Sequence, residues 1–383
     1  MSTARTTTEA TPRTRIRALD VARGVAILGT LATNVWLFSH PGGMLGYLTH
    51  PTTPGAGAVQ QGVERFWMAL ANGKFLGLLT LMFGIGLLIQ AESAVRKGRR
   101  WPGGYPLRMA LLFLEGLLNY LLIAEFDVLM GYAVTGAIVA MVVLRTPRVR
   151  RFWAVLAGIV HLVFVAAATG LLLAVEGGPP GTGYGEGVYR EGSWWDLVLL
   201  RIDYAVVFRL EPVFIGCLTF AMFLVGAELH RRGVFEERGR ALRTRLVTAG
   251  ALALVADLTL AMTLPDTLLV SRYLLGPVVA GGLLALIAVA ARDGGGRIGA
   301  LLAPVGRMAL SCYIAQNLVC SALFYGWGFG LNAVAAGDRL WVTMVVYVAV
   351  CAVMVLGARW WLGRFARGPV EWAWQRAYEL LRH

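Results

Sequence analysis

Polar and ionisable side chains set into long apolar runs are the residues of this 383-residue chain best placed to do chemistry. At membrane depth each costs about 2.5–3.5 kcal/mol on insertion scales, so it is expected to face an internal cavity or a partner rather than lipid. At 100° per residue, Asp20, Arg23 and Asn34 fall within about 60° of one another and make one polar stripe. Arg108, Glu115 and Asn119, at i, i+7 and i+11, fall within about 40° on a second helix. Arg307, Ser311 and Ser321 make a third stripe, with Asn317 at its edge and Gln316 on the opposite face. Asp257 sits near the middle of another run, and His161 stands alone on an apolar helix, where a packing histidine is expected. Three inward stripes predict a hydrated or ligand-filled interior. The plainer alternative is a set of buried pairs that only fix helix packing, Asp20 with Arg23 and Glu115 with Arg307 or Asn34.

The elements that must position these groups follow from composition. Apolar residues make up 57% of the chain and charged residues 15%, with mean hydropathy +0.65, whereas a soluble domain carries about 45–50% and about 25%. Ten apolar stretches stand out, at 21–38, 75–91, 107–124, 128–144, 152–175, 212–230, 246–264, 270–291, 308–325 and 340–358. Each is 17 to 24 residues long, enough for a helix rising 1.5 Å per residue to cross a hydrocarbon layer of roughly 30 Å. Nothing alternates in the manner of barrel strands, so the predicted fold is all-α, a polytopic integral membrane bundle of about ten transmembrane helices.

The net charge of +13 resembles that of a nucleic-acid-binding protein until it is mapped onto these spans. Of 35 Lys and Arg, 28 fall on one side and seven on the other. By the positive-inside rule the basic side is cytoplasmic, both termini are cytoplasmic, and the protein is expected to be multi-pass in the plasma membrane. The charge therefore implies contact with an anionic inner leaflet and no nucleic-acid partner. The clusters 96–100 and 231–245 are mainly topology determinants, and they could also hold the phosphates of a cytoplasmic cofactor. Two outer segments, 39–74 and 176–211, exceed the usual connection and suit a lid or substrate platform. Trp372, Trp374 and Tyr378, with Arg376 and Arg382, predict a terminal amphipathic helix on the inner surface. Cys217, Cys312, Cys320 and Cys351 all lie within spans and read as small core residues. No HExxH, Walker loop, GxSxG or metal-ligand cluster is present, so no metal is expected.

Several blocks carry a family resemblance: RIRALDVARGVAILGTLATN (15–34), GKFLGLLTLMFGIGLLIQ (73–90), EGLLNYLLIAEFDVLMGYAVTG (115–136), VGRMALSCYIAQNLVCSALFYGWGFGL (305–331) and RGPVEWAWQ (367–375). In this order they resemble the YeiB-like bacterial membrane proteins, whose C-terminal domain is catalogued as of unknown function. The opening LDxxRGxAxxG is also similar to the first span of heparan-α-glucosaminide N-acetyltransferase, in a transmembrane acyltransferase superfamily. Residues 1–16, Thr-rich and basic, read as a disordered cytoplasmic tail; the resemblance implies an acyltransferase-like membrane half at 17–230 and a YeiB-type membrane domain at 231–383 ending in the interfacial helix. It further implies acyl-CoA, such as acetyl-CoA, as co-substrate and a small-molecule, sugar or lipid acceptor carrying a hydroxyl or amine on the far side.

On that reading His40 or His50 is the base, because a histidine in the outer segment after the first span is implicated in catalysis in the enzyme. Asp127 orients it or replaces it, Asn34 donates to the oxyanion, and Arg23, Arg108 and Arg307, with Asp20 beside them, hold CoA phosphates. Many YeiB-like sequences read GLxH where this chain has Gly116 to Asn119, so Asn119 stands where they have histidine. The competing reading is a proton-coupled transporter or channel for a small metabolite or lipid, with Glu115, Asp127 and Asp257 as relay. Broken helices and inverted repeats would favour it. A homo-oligomer is compatible with either reading.

Overall fold

A computed structural model describes residues 17–53, 55–174, 186–264, 268–292 and 295–381. The tail at 1–16, most of the Gly-rich opening of the second outer segment and His383 lie outside the described residues. The described residues form helices α1 (Arg17–Ser39), α2 (Gly43–Thr49), α3 (Ala58–Ala71), α4 (Lys74–Arg96), α5 (Tyr105–Leu122), α6 (Leu129–Val142), α7 (Pro147–Ala174), α8 (Glu186–Glu191), α9 (Trp194–Asp203), α10 (Ala205–Phe214), α11 (Gly216–Arg231), α12 (Arg240–Thr263), α13 (Leu268–Val270), α14 (Gly276–Ala290), α15 (Gly296–Arg307), α16 (Ala309–Phe324), α17 (Ala336–Leu362) and α18 (Pro369–Leu381). A π-helical turn at Ser271–Leu275 joins α13 to α14, and the described residues contain no strand.

The protein is a helical membrane protein. Six runs are long and apolar enough to span: α1, α3 with α4, α7, Glu237–Thr263, Ser271–Ala290 and α17. The bent pairs α10–α11 (41°) and α15–α16 (84°) raise the number to eight. Every predicted stretch coincides with a helix, but α5, which carries Arg108, Glu115 and Asn119, and the 14-residue α6 do not meet that measure.

Burial separates centre from periphery. The apolar window of α1 is 72% buried, that of α7 only 11%. Helix α1 runs through the middle, packed on α4, α15, α16 and α17, and one core extends from Ala18 to Ala358 across both halves of the sequence. The approach of α1 to α15 depends on two glycines. A Cβ at Gly24 would lie 2.2 Å from the Leu302 carbonyl oxygen, and one at Gly306 would lie 1.8 Å from that of Asp20. No side chain fits there, and the close crossing brings Arg23 and Arg307, each next to one of these glycines, to the lining of one cavity.

Two buried polar clusters join distant segments. Glu125, fully buried, accepts hydrogen bonds from Tyr189 (2.9 Å) and Tyr325 (3.2 Å) and pairs with Arg201 (3.4 Å), whose remaining donors meet the carbonyls of Leu121 and Ile123. This ties the α8–α9 segment onto the end of α5. In the second cluster Lys74 pairs with Asp257, which also accepts from the Ser271 hydroxyl. It links α4, α12 and the π-turn.

Candidate functional site

The end of the bundle holding Arg23, Arg307 and the start of α18 is called the basic end. There the side chains of α1, α4, α5, α15, α16 and α18 enclose a cavity of about 440 Å³. Arg23, Arg108, Arg307 and Arg367 line it, so three arginines widely separated in sequence, all expected to hold phosphate, border one cavity with a fourth. Arg108 donates to Gln90 (2.9 Å) and lies over the rings of Tyr378 (4.5 Å) and Trp374 (5.6 Å) of α18, a cation–π arrangement that holds the guanidinium in place. Glu371 accepts from the backbone N–H groups of Leu310 (2.9 Å) and Ser311 (3.2 Å) and from the Ser311 hydroxyl. It thereby satisfies the exposed N-terminus of α16 created by the break at Met308. The predicted terminal amphipathic helix is therefore a wall of the cavity as well as a surface element: Tyr378 faces inward while Trp372, Leu380 and Leu381 are exposed.

Two further cavities adjoin this one. A pocket of about 440 Å³ beside the turn after α4 is lined by Lys97, Arg99, Arg100 and Trp101, and it shares Gln90, Tyr105 and Arg108 with the first. Toward the opposite end, a cavity of about 140 Å³ is lined by Thr30, Asn34, Tyr47, Asn72, Glu211, Arg272 and Tyr273, and it shares Leu79 and Tyr313 with the first. The three cavities thus adjoin along α4; the first, called the inner chamber, and the third, called the outer chamber, also adjoin along α1 and have Leu79 and Tyr313 in common. Tyr313 is buried, with Asp127 and Asn317 beside it.

The outer chamber carries a polar cluster that inspection of the sequence missed. Arg272 donates twice to Glu211 (2.6 and 3.1 Å) and also to Asn72, while the Tyr273 hydroxyl donates to the same carboxylate (2.8 Å). The π-turn makes this possible, because its extra residue per turn turns both Arg272 and Tyr273 toward α10. Arg272 as the sole basic residue in the 270–291 run was the available signal.

The stripes hold in part. Arg23 and Asn34 of α1 line the inner and outer chambers respectively, and Asp20 pairs with Arg23 (3.8 Å) behind the cavity wall without lining it. The second stripe divides: Arg108 reaches the cavity, but Glu115 faces a groove against α18 and pairs with neither Arg307 nor Asn34. Met109 and Leu112 occupy the cavity face of α5, and the stripe runs along its edge. The third stripe is interrupted because the 84° bend at Met308 separates Arg307 from Ser311, so a continuous helical projection does not apply. Gln316 is fully buried with no protein partner for its amide.

The remaining candidates occupy structural positions. Asp127 is buried and accepts from the Asn119 amide (2.8 Å) and from the N–H groups of Leu129 (2.8 Å) and Met130 (3.2 Å), capping α6. Burial pushes its carboxyl up to about 6, against the pull of Asn119 and these N–H groups. His40 lines none of these cavities. Its Nδ1 accepts from the Gly42 N–H (3.1 Å), and burial, with the Arg339 charge nearby, lowers the imidazole to about 4. His50 is exposed and lies outside the same cavities. Asp257 is held by Lys74 and Ser271, which does not suit a mobile proton carrier. His161 packs against Phe214 and Tyr273, its Nε2 3.3 Å from the Tyr273 carbonyl oxygen. The four cysteines are free.

Comparison with known sequences places the chain. Residues 229–380 match the family described as a protein of unknown function, DUF418; this region supplies Arg307, Tyr313, Arg367 and Glu371 to the chambers. The chain is 28% identical to the uncharacterized protein YxaH of Bacillus subtilis over 95% of its length and 94% of the relative's. It is 25% identical to an uncharacterized 39.9 kDa protein encoded in the amylase 3′ region of Bacillus acidopullulyticus, over 94% and 93%. With 30% identity to the uncharacterized protein YeiB of Escherichia coli across 94% of both chains, the protein belongs to the YeiB-like family.

Proposed function

We propose that the protein is a transmembrane acyltransferase that takes an acyl group from a CoA thioester at its basic end and delivers it to a hydroxyl or amine acceptor at the other. The carrying observation is the set of three adjoining cavities, basic at one end, with Leu79 and Tyr313 common to the inner and outer chambers. An elongated anion fits that set. Lys97, Arg99 and Arg100 suit the nucleotide phosphates, Arg108 and Gln90 the start of the pantetheine arm, and Tyr313 the thioester end. On this reading the basic end faces the cytoplasm with both termini, α5 and α6 complete ten crossings, and the membrane is the bacterial inner membrane.

Acyl transfer requires donors at the carbonyl oxygen as it becomes an oxyanion and a base for the acceptor's proton. Tyr313 and Asn34 both border the outer chamber and can donate; Glu211 also lines it, and since the Arg272 and Tyr273 donors all meet its Oε1, its Oε2 can accept the proton as the thiolate leaves toward the basic side, whereas both oxygens of Asp257 are engaged. His40 has no part in this scheme because it does not reach the chamber. The test is incubation of the purified protein with labelled acetyl-CoA: binding and slow thioester hydrolysis, both reduced at least about tenfold in Arg108→Ala and Arg307→Ala, are expected. No binding at high micromolar acetyl-CoA would sink the proposal.

The two bent spans favour one second reading, a transporter in which broken helices border the substrate path. Proton-gradient-dependent solute flux in proteoliposomes, without thioester turnover, would establish it instead.

A further inference from the structure

Away from the chambers, α5 and α18 border a groove of about 320 Å³ that shares Trp374 with the inner chamber. It opens on the outside of the bundle, where Leu114 and Leu118 are exposed. Its lining side chains are apolar except for Glu115, Asn119 and Trp374, and each of these three has buried polar atoms with no hydrogen-bond partner among the described residues. Asn119, 2% exposed, gives its amide N–H to Asp127 (2.8 Å), which leaves its Oδ1 without a donor. One turn earlier on α5 both carboxyl oxygens of Glu115 are bare, and Nε1 of Trp374 lacks an acceptor. The charges that bear most on Glu115 are the carboxylates Glu371 and Asp127, of its own sign, so no protein cation meets it. Buried polar atoms left unmet are costly, and a bare carboxylate at membrane depth is more so.

The unmet set is three acceptors on α5 and one donor on α18. A hydroxyl donates and accepts, so it can serve both kinds; an ammonium only donates, and a carboxylate only accepts. We propose that the groove binds a lipid alcohol, its hydroxyl among Glu115, Asn119 and Trp374 and its hydrocarbon body along Leu111, Leu118 and Leu122. Leu111 to Leu122 covers about 16 Å of helix rise, about half of a roughly 30 Å hydrocarbon layer, so a single chain can lie there. The site depends on α5 crossing the membrane, as proposed above, and is independent of the acyl-CoA reading.

The test places the protein in phosphatidylcholine nanodiscs with a photoactivatable hexadecanol and maps the labelled residues by mass spectrometry. Labelling of α5 and α18 within the groove is expected. Excess hexadecanol should remove it, and hexadecyl methyl ether, which has the chain but no hydroxyl, should compete at least about tenfold less well. Glu115→Leu should lose labelling about tenfold and unfold no earlier than wild type, since the carboxyl has no protein partner to lose. Glu115→Gln, which still donates and accepts, should keep it. Equal competition by the ether, or wild-type labelling of Glu115→Leu, would overturn the proposal and leave water to meet these polar atoms. Competition by hexadecylamine or palmitic acid without competition by hexadecanol would overturn it in favour of a cationic or acidic lipid. A photoactivatable phosphatidylcholine that fails to label Leu114 and Leu118 would take α5 out of the lipid, and the proposal with it. Each of these outcomes leaves the CoA binding measurement unaffected, so the two readings fail separately.

Discussion

Removing the Asp257 carboxylate strands a buried ammonium. The side chains of Lys74 and Asp257 are 2% and 0% exposed, so water cannot screen what remains, and the other protein acceptor for Lys74 is the Ala69 carbonyl. Breaking one side of such a pair costs about 3–5 kcal/mol, whereas replacing both partners by apolar groups of similar volume is often neutral or stabilising. Asp257→Leu should therefore lower stability by about 3–5 kcal/mol, and Lys74→Met with Asp257→Leu should recover most of it. The loss should reach the outer chamber, because Lys74 follows Asn72 and Gly73 and Ser271 precedes Arg272. Unfolding followed by tryptophan fluorescence in mild detergent, titrated with a denaturing one, measures the difference. A single variant as stable as wild type, or a double variant no better than the single, would refute the reasoning. A double variant that is stable and active would also exclude Asp257 from any proton relay.

Three other outcomes are expected. Glu125→Ala leaves Arg201 buried and unpaired; a loss of about 3–5 kcal/mol and faster proteolysis within α8–α9 should follow, and unchanged proteolysis would contradict the tether. His40 has a depressed folded-state pKa, about 4 against 6.5, so its contribution is fully present above pH 6.5 and falls by about 3 kcal/mol toward pH 4. The wild-type minus His40→Gln stability difference should show that slope, and a flat difference between pH 6.5 and 4 would contradict it. Gly306→Val must push α15 from α1, which should weaken CoA-thioester binding at least about tenfold through displaced Arg23 and Arg307; unchanged binding in a folded variant would count against the close crossing as the feature that sets the cavity.

The helices and the basic end were legible in the sequence, because hydropathy runs and lone arginines are local signals. Arg23, Arg108 and Arg307 could be placed at one depth from span boundaries alone. Arg367 joins them only because α18 folds back under α16, with Glu371 capping the latter, and that contact spans about sixty residues. The pairs Lys74 with Asp257 and Glu125 with Arg201 form across 183 and 76 residues, and no periodicity records them. Asp127 reads in the sequence as an orienter or base at a span end, and Asn119 as part of a polar stripe; that the two bond each other and that Asp127 caps α6 depends on the turn between α5 and α6, which no periodicity records. Tyr313 was passed over since a tyrosine within a span resembles ordinary core, and only the adjoining chambers single it out.

The central claim, that a CoA thioester occupies the adjoining chambers, is tested most directly by a structure of the protein with a non-hydrolysable acyl-CoA analogue bound in nanodiscs. The account predicts phosphate density beside Arg99, Arg100 and Arg108 and the thioester carbon adjacent to Tyr313. Density for the nucleotide elsewhere, or an inner chamber filled by a lipid while the analogue is present in excess, would contradict it.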